Sequence, residues 1–561
     1  MTWKSVADFA PMVPQLDLEP LRRPEEMPDD RTIKDSTTRS VFRIDDPVAP
    51  GGPGLYVKRY KFRDLFDRLR YTLAPSKPAR EWRICRALQA ADIPTCDVLA
   101  IAVRRRRGLP CEGFLVSREI TGTVHLKEFA RQQWPARPRK FRRELAAELA
   151  SLTAELAEGG FHHTDYHAEN LLVRPEAPPG SRLVVTDLHA MRRRRVRRRH
   201  MVKMLAMLHG SVPEQVGLRA RVRYLRAFLQ RWGGDSRGRS TAWARAVAEA
   251  ATAHERRHLR SRTKRCLKES SLFTRAKTSD FVVHRRRDFP LGAALSAVDT
   301  HREALSGRAP QVEVCRAGRR TEVSLCTCES VPPRTLNQPA DPEDVLPGTV
   351  CVKAFRRDTL PERLKDVLRP RSRARGAWFA ARGFHVRGLP AAQPLALLES
   401  RHKLRGDPDY LITEELPNEG GLVDFIRSHE PDATERRRLG RAVADLLLSL
   451  DRQEVYHPDT KPTNILVHRG EDGLELYLID LERVRFGRPM SRKEWTKCLA
   501  RINAQLPQSV SLLERVRCLR RCARGRWDAG ERREIAQRVH QLSLQRGGPS
   551  PASNTPASQD T

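Results

Sequence analysis

Two stretches of the chain carry apolar residues at helical spacing. Leu145, Leu149, Leu152 and Leu156 recur at i, i+4, i+7 and i+11, and Leu439, Val443, Leu446 and Leu450 repeat the pattern further on. Each predicts an amphipathic helix with one buried stripe. After each helix comes a polar segment, H-T-D-Y-H-A-E-N (His163 to Asn170) or H-P-D-T-K-P-T-N (His457 to Asn464), and then a short apolar run, L-L-V or I-L-V, that reads as strand. Further apolar runs carry single charges. V-V-T-D-L places Asp187, and Y-L-I-D-L places Asp480, at the end of a short strand, while Y-V-K-R-Y and C-V-K-A-F put Lys58 and Lys353 on extended segments.

These landmarks form an internal repeat. His163 and His457, Asp165 and Asp459, and Asn170 and Asn464 are each 294 residues apart, as are the helical stripes. Asp187 and Asp480 are separated by 293, Lys58 and Lys353 by 295, and the pairs Trp82/Trp378 and Pro94/Pro390 by 296. So small a drift over so long an interval points to duplication of one module. The expected domains are 1–268 and 269–545, followed by a disordered tail, 546–561, with no apolar residue larger than alanine and proline. The segment from Val331 to Pro347 reads as a Pro-rich loop inside the second copy.

Composition narrows the partners. With 104 Lys+Arg against 69 Asp+Glu, a formal charge of +35, the protein should be drawn to anionic surfaces. An aromatic content of 6% argues against a binder that stacks single-stranded bases, and no nucleic-acid-binding signature accompanies the arginine run from Arg192 to Arg199, so nucleic acid is not expected as a partner. That run reads as a solvated face or as a basic rim suited to an anionic acceptor. Eleven scattered cysteines without a C-x-x-C read as reduced thiols; Cys326 with Cys328, and Cys518 with Cys522, are expected to be buried small residues. With no signal-peptide pattern and no apolar run of about 20 residues, a cytoplasmic protein is expected, soluble or peripheral at the inner membrane.

Each copy orders its polar groups in the same way: a strand Lys, a helix, H-x-D-x-x-x-x-N in a loop, and a strand-end Asp. Phosphoryl transfer from a nucleotide uses such groups. Lys58 or Lys353 can neutralise phosphates. Asp165 or Asp459 can accept the proton of the attacking hydroxyl, and Asn170 with Asp187, or Asn464 with Asp480, offers hard oxygen ligands for a metal ion. His163 and His457 are expected to be structural, and Trp82 and Trp378 to pack helix on sheet.

With these residues the sequence resembles the protein-kinase-like fold. The expected class is α+β, with two tandem domains, each a small antiparallel sheet with one helix above a mainly helical lobe. Departures are informative. Thr164 and Pro458 stand where the Arg of H-R-D would be, Leu188-His189 and Leu481-Glu482 follow the metal Asp in place of Phe-Gly, and K-D-S-T-T-R-S before Val41 lacks the glycines of a phosphate lid. Y-V-K-R-Y, P-A-R-E-W-R-I-C-R-A-L and D-I-P-T in copy one, with S-R-A-R-G-A-W-F-A-A-R-G-F, R-G-L-P, Y-L-I-T-E-E-L and I-D-L-E in copy two, are similar to the lipopolysaccharide kinase (Kdo and heptose kinase, Kdo/WaaP) family.

The resemblance implies an ATP-dependent kinase, using Mg²⁺ or Mn²⁺, that phosphorylates a sugar hydroxyl of the lipopolysaccharide core or a related anionic glycoconjugate. It assigns Lys58 to the phosphates, Glu81 as its ion-pair partner, Asp165 as base, and Asn170 and Asp187 to the metal. Ala377 stands where Glu81 would recur, so copy two is expected to lack a carboxylate for Lys353. It carries Lys461, where many kinases stabilise the transferring phosphate, and copy one has His167 there. Copy one is expected to be the main catalyst, with copy two active, accessory or only nucleotide-binding. A compact atypical Ser/Thr protein kinase and a nucleotide-binding pseudokinase scaffold are the alternatives.

Overall fold

The computed structural model describes residues 1–16, 21, 31–34, 39–46, 52–62, 65–233, 237–334, 344–368, 372–471 and 473–547. Most of the expected terminal tail, the centre of the Pro-rich loop and residues 35–38 of the glycine-poor segment lie outside them. The chain divides into two compact units, Met1–Arg257 and His258–Thr561, and each is described by itself.

In the first unit, β1 (Thr2–Ser5), β2 (Thr32–Lys34), β3 (Arg39–Ile44), β4 (Leu55–Lys61), α1 (Leu65–Leu73), α2 (Lys77–Gln89), β5 (Val98–Arg106) and β6 (Leu109–Arg118) build the first lobe. Its strands form one antiparallel sheet in the order β1-β5-β6-β4-β3-β2. The second lobe holds β7 (Val124–His125), α3 (Leu126–Gln132), α4 (Arg139–Glu158), β8 (Phe161–His163), β9 (Leu171–Val173), β10 (Leu183–Val185), β11 (Met191–Arg193), α5 (Arg198–Ser211), α6 (Leu218–Gly233) and the part of α7 (Arg237–Lys264) up to Arg257. The leucine stripe of α4 enters the core with Leu145, Leu152 and Leu156 buried. An apolar cavity of about 520 Å³ opens between α4, α5, α6 and α7, lined by residues such as Leu149, Leu205, Leu225 and Val247.

The second unit repeats this order. Its sheet, β12 (Phe273–Lys277), β13 (Phe281–Arg286), β14 (Glu313–Ala317), β15 (Thr321–Val331), β16 (Leu346–Phe355), β17 (Pro394–Ser400) and β18 (Asp409–Glu414), runs β12-β13-β17-β18-β16-β15-β14. It carries α8 (Leu291–Leu305), α9 (Leu360–Leu368) and α10 (Arg373–Val386). Below it follow α11 (Leu422–His429), α12 (Ala433–Arg452), β19 (Val455–Tyr456), β20 (Ile465–Gly470), β21 (Gly473–Leu478), β22 (Arg485–Phe486), α13 (Arg492–Gln505), α14 (Leu512–Ala523) and α15 (Ala529–Leu544). The stripe of α12 is buried throughout.

The helix beside each sheet starts on a serine cap. Ser76 accepts from Ala79 N at 3.4 Å and Ser372 from Arg375 N at 3.1 Å, satisfying an otherwise orphan donor of α2 and α10. Trp82 and Trp378 are buried, and the Trp378 indole donates to Cys266 O at 3.0 Å. All eleven cysteines are free; Cys326, Cys328 and Cys522 are buried and Cys518 is half-buried. The arginines from Arg192 to Arg199 are exposed.

Candidate active site

Each unit builds its site where the sheet meets the helical lobe. β4 lies inside the sheet, between β6 and β3, and pairs Lys58 with Leu115 and Val41. Strand pleating then fixes which way the lysine points. Lys58 Nζ lies 3.0 Å from Glu81 Oε2 on α2, a carboxylate fully shielded from solvent that also accepts from the Tyr60 hydroxyl. Burial pulls the Lys58 ammonium down, but Glu81, with smaller help from Cys96 and Asp187, outweighs it and holds the group above the ordinary lysine value.

The loop after β8 is organised by His163. Its Nδ1 accepts from Asp165 N at 3.2 Å, which leaves Nε2 to carry the proton toward Thr186 O at 3.1 Å. Burial lowers its pKa, so the ring is a neutral strut. The Asn170 amide nitrogen donates to Asp165 O at 2.8 Å, and Asn170 O accepts from Thr186 N at 2.9 Å. These bonds tie the base loop to the residue before Asp187. With its nitrogen committed, Asn170 keeps its amide oxygen for a cation. The Asp165 carboxylate faces His167 Nε2 at 3.3 Å. That contact holds Asp165 below its usual value against the cost of burial, and Asp165 in turn raises His167.

Asp187 adopts a left-handed backbone, φ 56°, and so does Asp480, φ 61°. A non-glycine residue held there in both units is the kind of local strain that gathers at functional sites. Pro94 O accepts from Val185 N, and Pro390 O from Leu478 N, both at 3.0 Å. The D-I-P and G-L-P segments thus seat the strands that end in these aspartates. Asp187 Oδ1 accepts from His189 Nδ1 at 2.6 Å and from Arg39 Nη1 at 2.9 Å. Burial works against its charge, but His189, Lys58 and Arg39 outweigh that and hold it well below the carboxylate range. Glu81, Asp187 and His189 bring their side-chain polar atoms within 4.8 Å of one another, and the two carboxylates are the hard oxygen donors of that group.

The second unit repeats the base loop. His457 Nδ1 accepts from Asp459 N at 3.1 Å and its Nε2 faces Ile479 O at 3.2 Å. The Asn464 amide donates to Asp459 O at 3.0 Å and to Asp459 Oδ2 at 3.1 Å, and Lys461 Nζ lies 3.6 Å from that carboxylate. Burial disfavours the charged Asp480, yet Lys353 Nζ at 2.8 Å keeps its pKa lowered.

One expectation is corrected. Lys353 does not lack a carboxylate: besides Asp480, Glu482 Oε1 lies 3.1 Å from its Nζ. Glu482 is clamped in turn by Arg373 of α10, Nε to Oε2 at 3.0 Å and Nη2 to Oε1 at 3.3 Å. The two units therefore exchange positions. Where α2 has Glu81 and the strand-end motif has His189, α10 has Ala377 and the motif has Glu482. The acid has moved from helix to loop and still reaches the lysine. Sequence reasoning missed Glu482, His189 and Arg39. The signal for the first two was that both positions change together; Arg39 lay within the segment judged only by its missing glycines.

Both units thus have the parts of the protein-kinase-like class: a sheet lysine held by a carboxylate, an Asp–Asn loop and a strand-end Asp. The model of the lipopolysaccharide kinase (Kdo/WaaP) family matches residues 42–228 and 349–511, more than half of the chain in two segments, and the chain belongs to that family. Among solved structures it is similar to one described as WaaP in complex with acyl carrier protein, at 22% identity and a TM-score of 0.33, covering 45% of this chain and 99% of that one. No curated protein matches the sequence.

Proposed function

We propose that the protein transfers phosphate from ATP to a sugar hydroxyl of a lipopolysaccharide core, or of a related anionic glycoconjugate, at the inner face of a membrane. The observation that carries this reading is that each unit holds a sheet lysine on a carboxylate, Glu81 or Asp480, and ties its base loop, through the Asn beside the loop aspartate, to the residue before the strand-end aspartate.

Asp165 and Asp459 are the groups to orient the acceptor hydroxyl and take its proton as oxygen attacks phosphorus. Lys58 and Lys353 bind nucleotide phosphates from rigid strands. Asn170 with Asp187, and Asn464 with Asp480, are the oxygen donors that would hold Mg²⁺ or Mn²⁺. A bound divalent ion neutralises phosphate charge. Lys461 sets a cation beside its base, where negative charge grows during transfer, and His167, raised by Asp165, stands at that place in the first unit.

The experiment is incubation with labelled ATP and, in parallel, an extracted lipopolysaccharide fraction and a mixed protein acceptor. Label in the glycolipid supports the reading. Label only in protein favours the protein-kinase alternative, and nucleotide binding without transfer to either favours a scaffold.

A further inference from the structure

Two short helices outside both clefts share an unexplained feature. Along α1, Leu65, Leu69 and Leu73, and along α9, Leu360, Leu364 and Leu368, follow one another at a spacing of four, and all six are between 48% and 93% exposed. Spacing of four keeps each trio on one helical face. The trios are 295 residues apart, the interval that separates Lys58 from Lys353.

The opposite faces share one anchor, since Arg363 Nε of α9 donates to Arg357 O at 3.2 Å as Arg68 of α1 does to Phe62 O, and differ in the other. On α1, Tyr71 packs on Phe62 with ring centroids 5.0 Å apart, and Arg68 Nε donates to Phe62 O at 2.9 Å. On α9 the corresponding positions are Asp366 and Arg357, a buried ion pair at 2.5 Å whose guanidinium also reaches Asp409. The inner pair has been rebuilt from aromatic to ionic between the copies. The outward leucines, about half or more exposed, are the same in both. Folding of the unit does not account for that; an external apolar contact does.

The neighbourhood is basic. α1 packs on β6, whose hairpin with β5 carries Arg105, Arg106 and Arg107 exposed. α9 packs on the turn between β17 and β18, where Arg401 and Arg405 are exposed and Leu404 adds a fourth apolar tip. Apolar side chains on a polar helix beside clustered arginines match the interface of an anionic bilayer, where acyl chains take the leucines and headgroups the cations. A protein partner fits less well, because a standard interface uses about 20–30 residues a side.

We propose that α1 with the β5–β6 hairpin, and α9 with the β17–β18 turn, are surfaces by which the units dock on anionic phospholipid. The inference rests on the reading of the protein as one that meets its acceptor at a membrane. Its test uses no phosphate transfer, so failure of the kinase reading would leave the outcome unchanged.

The test is cosedimentation of the full chain with vesicles of phosphatidylcholine alone and of phosphatidylcholine with one third phosphatidylglycerol. The variants are Leu69→Glu, Leu364→Glu and the pair, with Arg105→Glu/Arg106→Glu as a variant that leaves the leucines intact. Exposed positions leave thermal melting unchanged. The expected result is salt-sensitive binding to the anionic vesicles, weakened about 10-fold by each leucine change and further by the pair, and weakened by the arginine change. Equal binding by all variants, equal binding to both vesicle types, or leucine-dependent self-association without vesicle binding would overturn the proposal.

Discussion

Glu482 shows how a site survives the loss of a residue. A lysine on a central strand needs a nearby carboxylate to stay charged and aimed, and the fold offers two places from which one can reach it, the helix and the strand-end loop. The first unit uses Glu81 and the second uses Glu482. In a Lys58→Met background, chosen to confine nucleotide binding to the second unit, Glu482→Gln should weaken ATP affinity by roughly 10- to 100-fold, the ~1.5–3 kcal/mol of a charged hydrogen bond. Ala377→Glu in that variant should restore most of it, measured by calorimetric titration. A merely structural Glu482 would not be rescued from the helix. This exchange was half legible in the sequence: the missing acid at Ala377 could be read from the offset, but its replacement could not, because only the fold brings residues 353 and 482 together. Asp165, Asn170 and Asp187 were legible because their spacing repeats. Arg39 was not, because its reach to Asp187 spans 148 positions.

At the scale of elements, the strands and helices that seat the site depend on a few buried contacts. Trp378 is fully buried, meets Phe273 edge-on at 5.7 Å and donates to Cys266 O. Trp378→Ala should destabilise the second unit by about 3–5 kcal/mol, seen as a lowered urea midpoint, while Ser372→Ala, losing the cap of α10, should cost about 1 kcal/mol. In the first unit β8 packs on α5 through His162 and His200, ring centroids 4.9 Å apart, and His162 Nδ1 finds no hydrogen-bond partner among the described residues. Burial, then the charges of His200 and Arg194, lower His162 to about 4. Between pH 6.5 and 4 the unfolded chain takes up a proton that the folded chain refuses, so stability should fall as pH falls across that window. His162→Leu should flatten that slope in melting curves; an unchanged slope would remove His162 as its source. The helices α4 and α12 were legible from their stripes, because a buried face forces apolar spacing. α1 and α9 were not singled out: their outer leucines face solvent, and their inner pair changes from aromatic to ionic while Arg68 and Arg363 repeat beside it.

For the whole molecule, the repeat was the most informative feature, since two copies at one interval turn weak motifs into a shared architecture. The family match in two segments carries the same message. What single-chain reasoning did not supply was where the lysine's acid comes from in the second unit and how Arg39 engages Asp187 in the first. On the proposed function, those differences set how phosphate transfer is divided between the units. They are tested most directly by the initial rate of phosphate transfer from labelled ATP to a lipopolysaccharide acceptor, compared among the unaltered chain, Asp165→Asn, Asp459→Asn and the double variant. The account expects Asp165→Asn and Asp459→Asn together to lower the rate ~10²- to 10⁴-fold, the range of a lost general base, with melting unchanged and the larger single loss at Asp165. A double variant that still transfers phosphate at the original rate would contradict it.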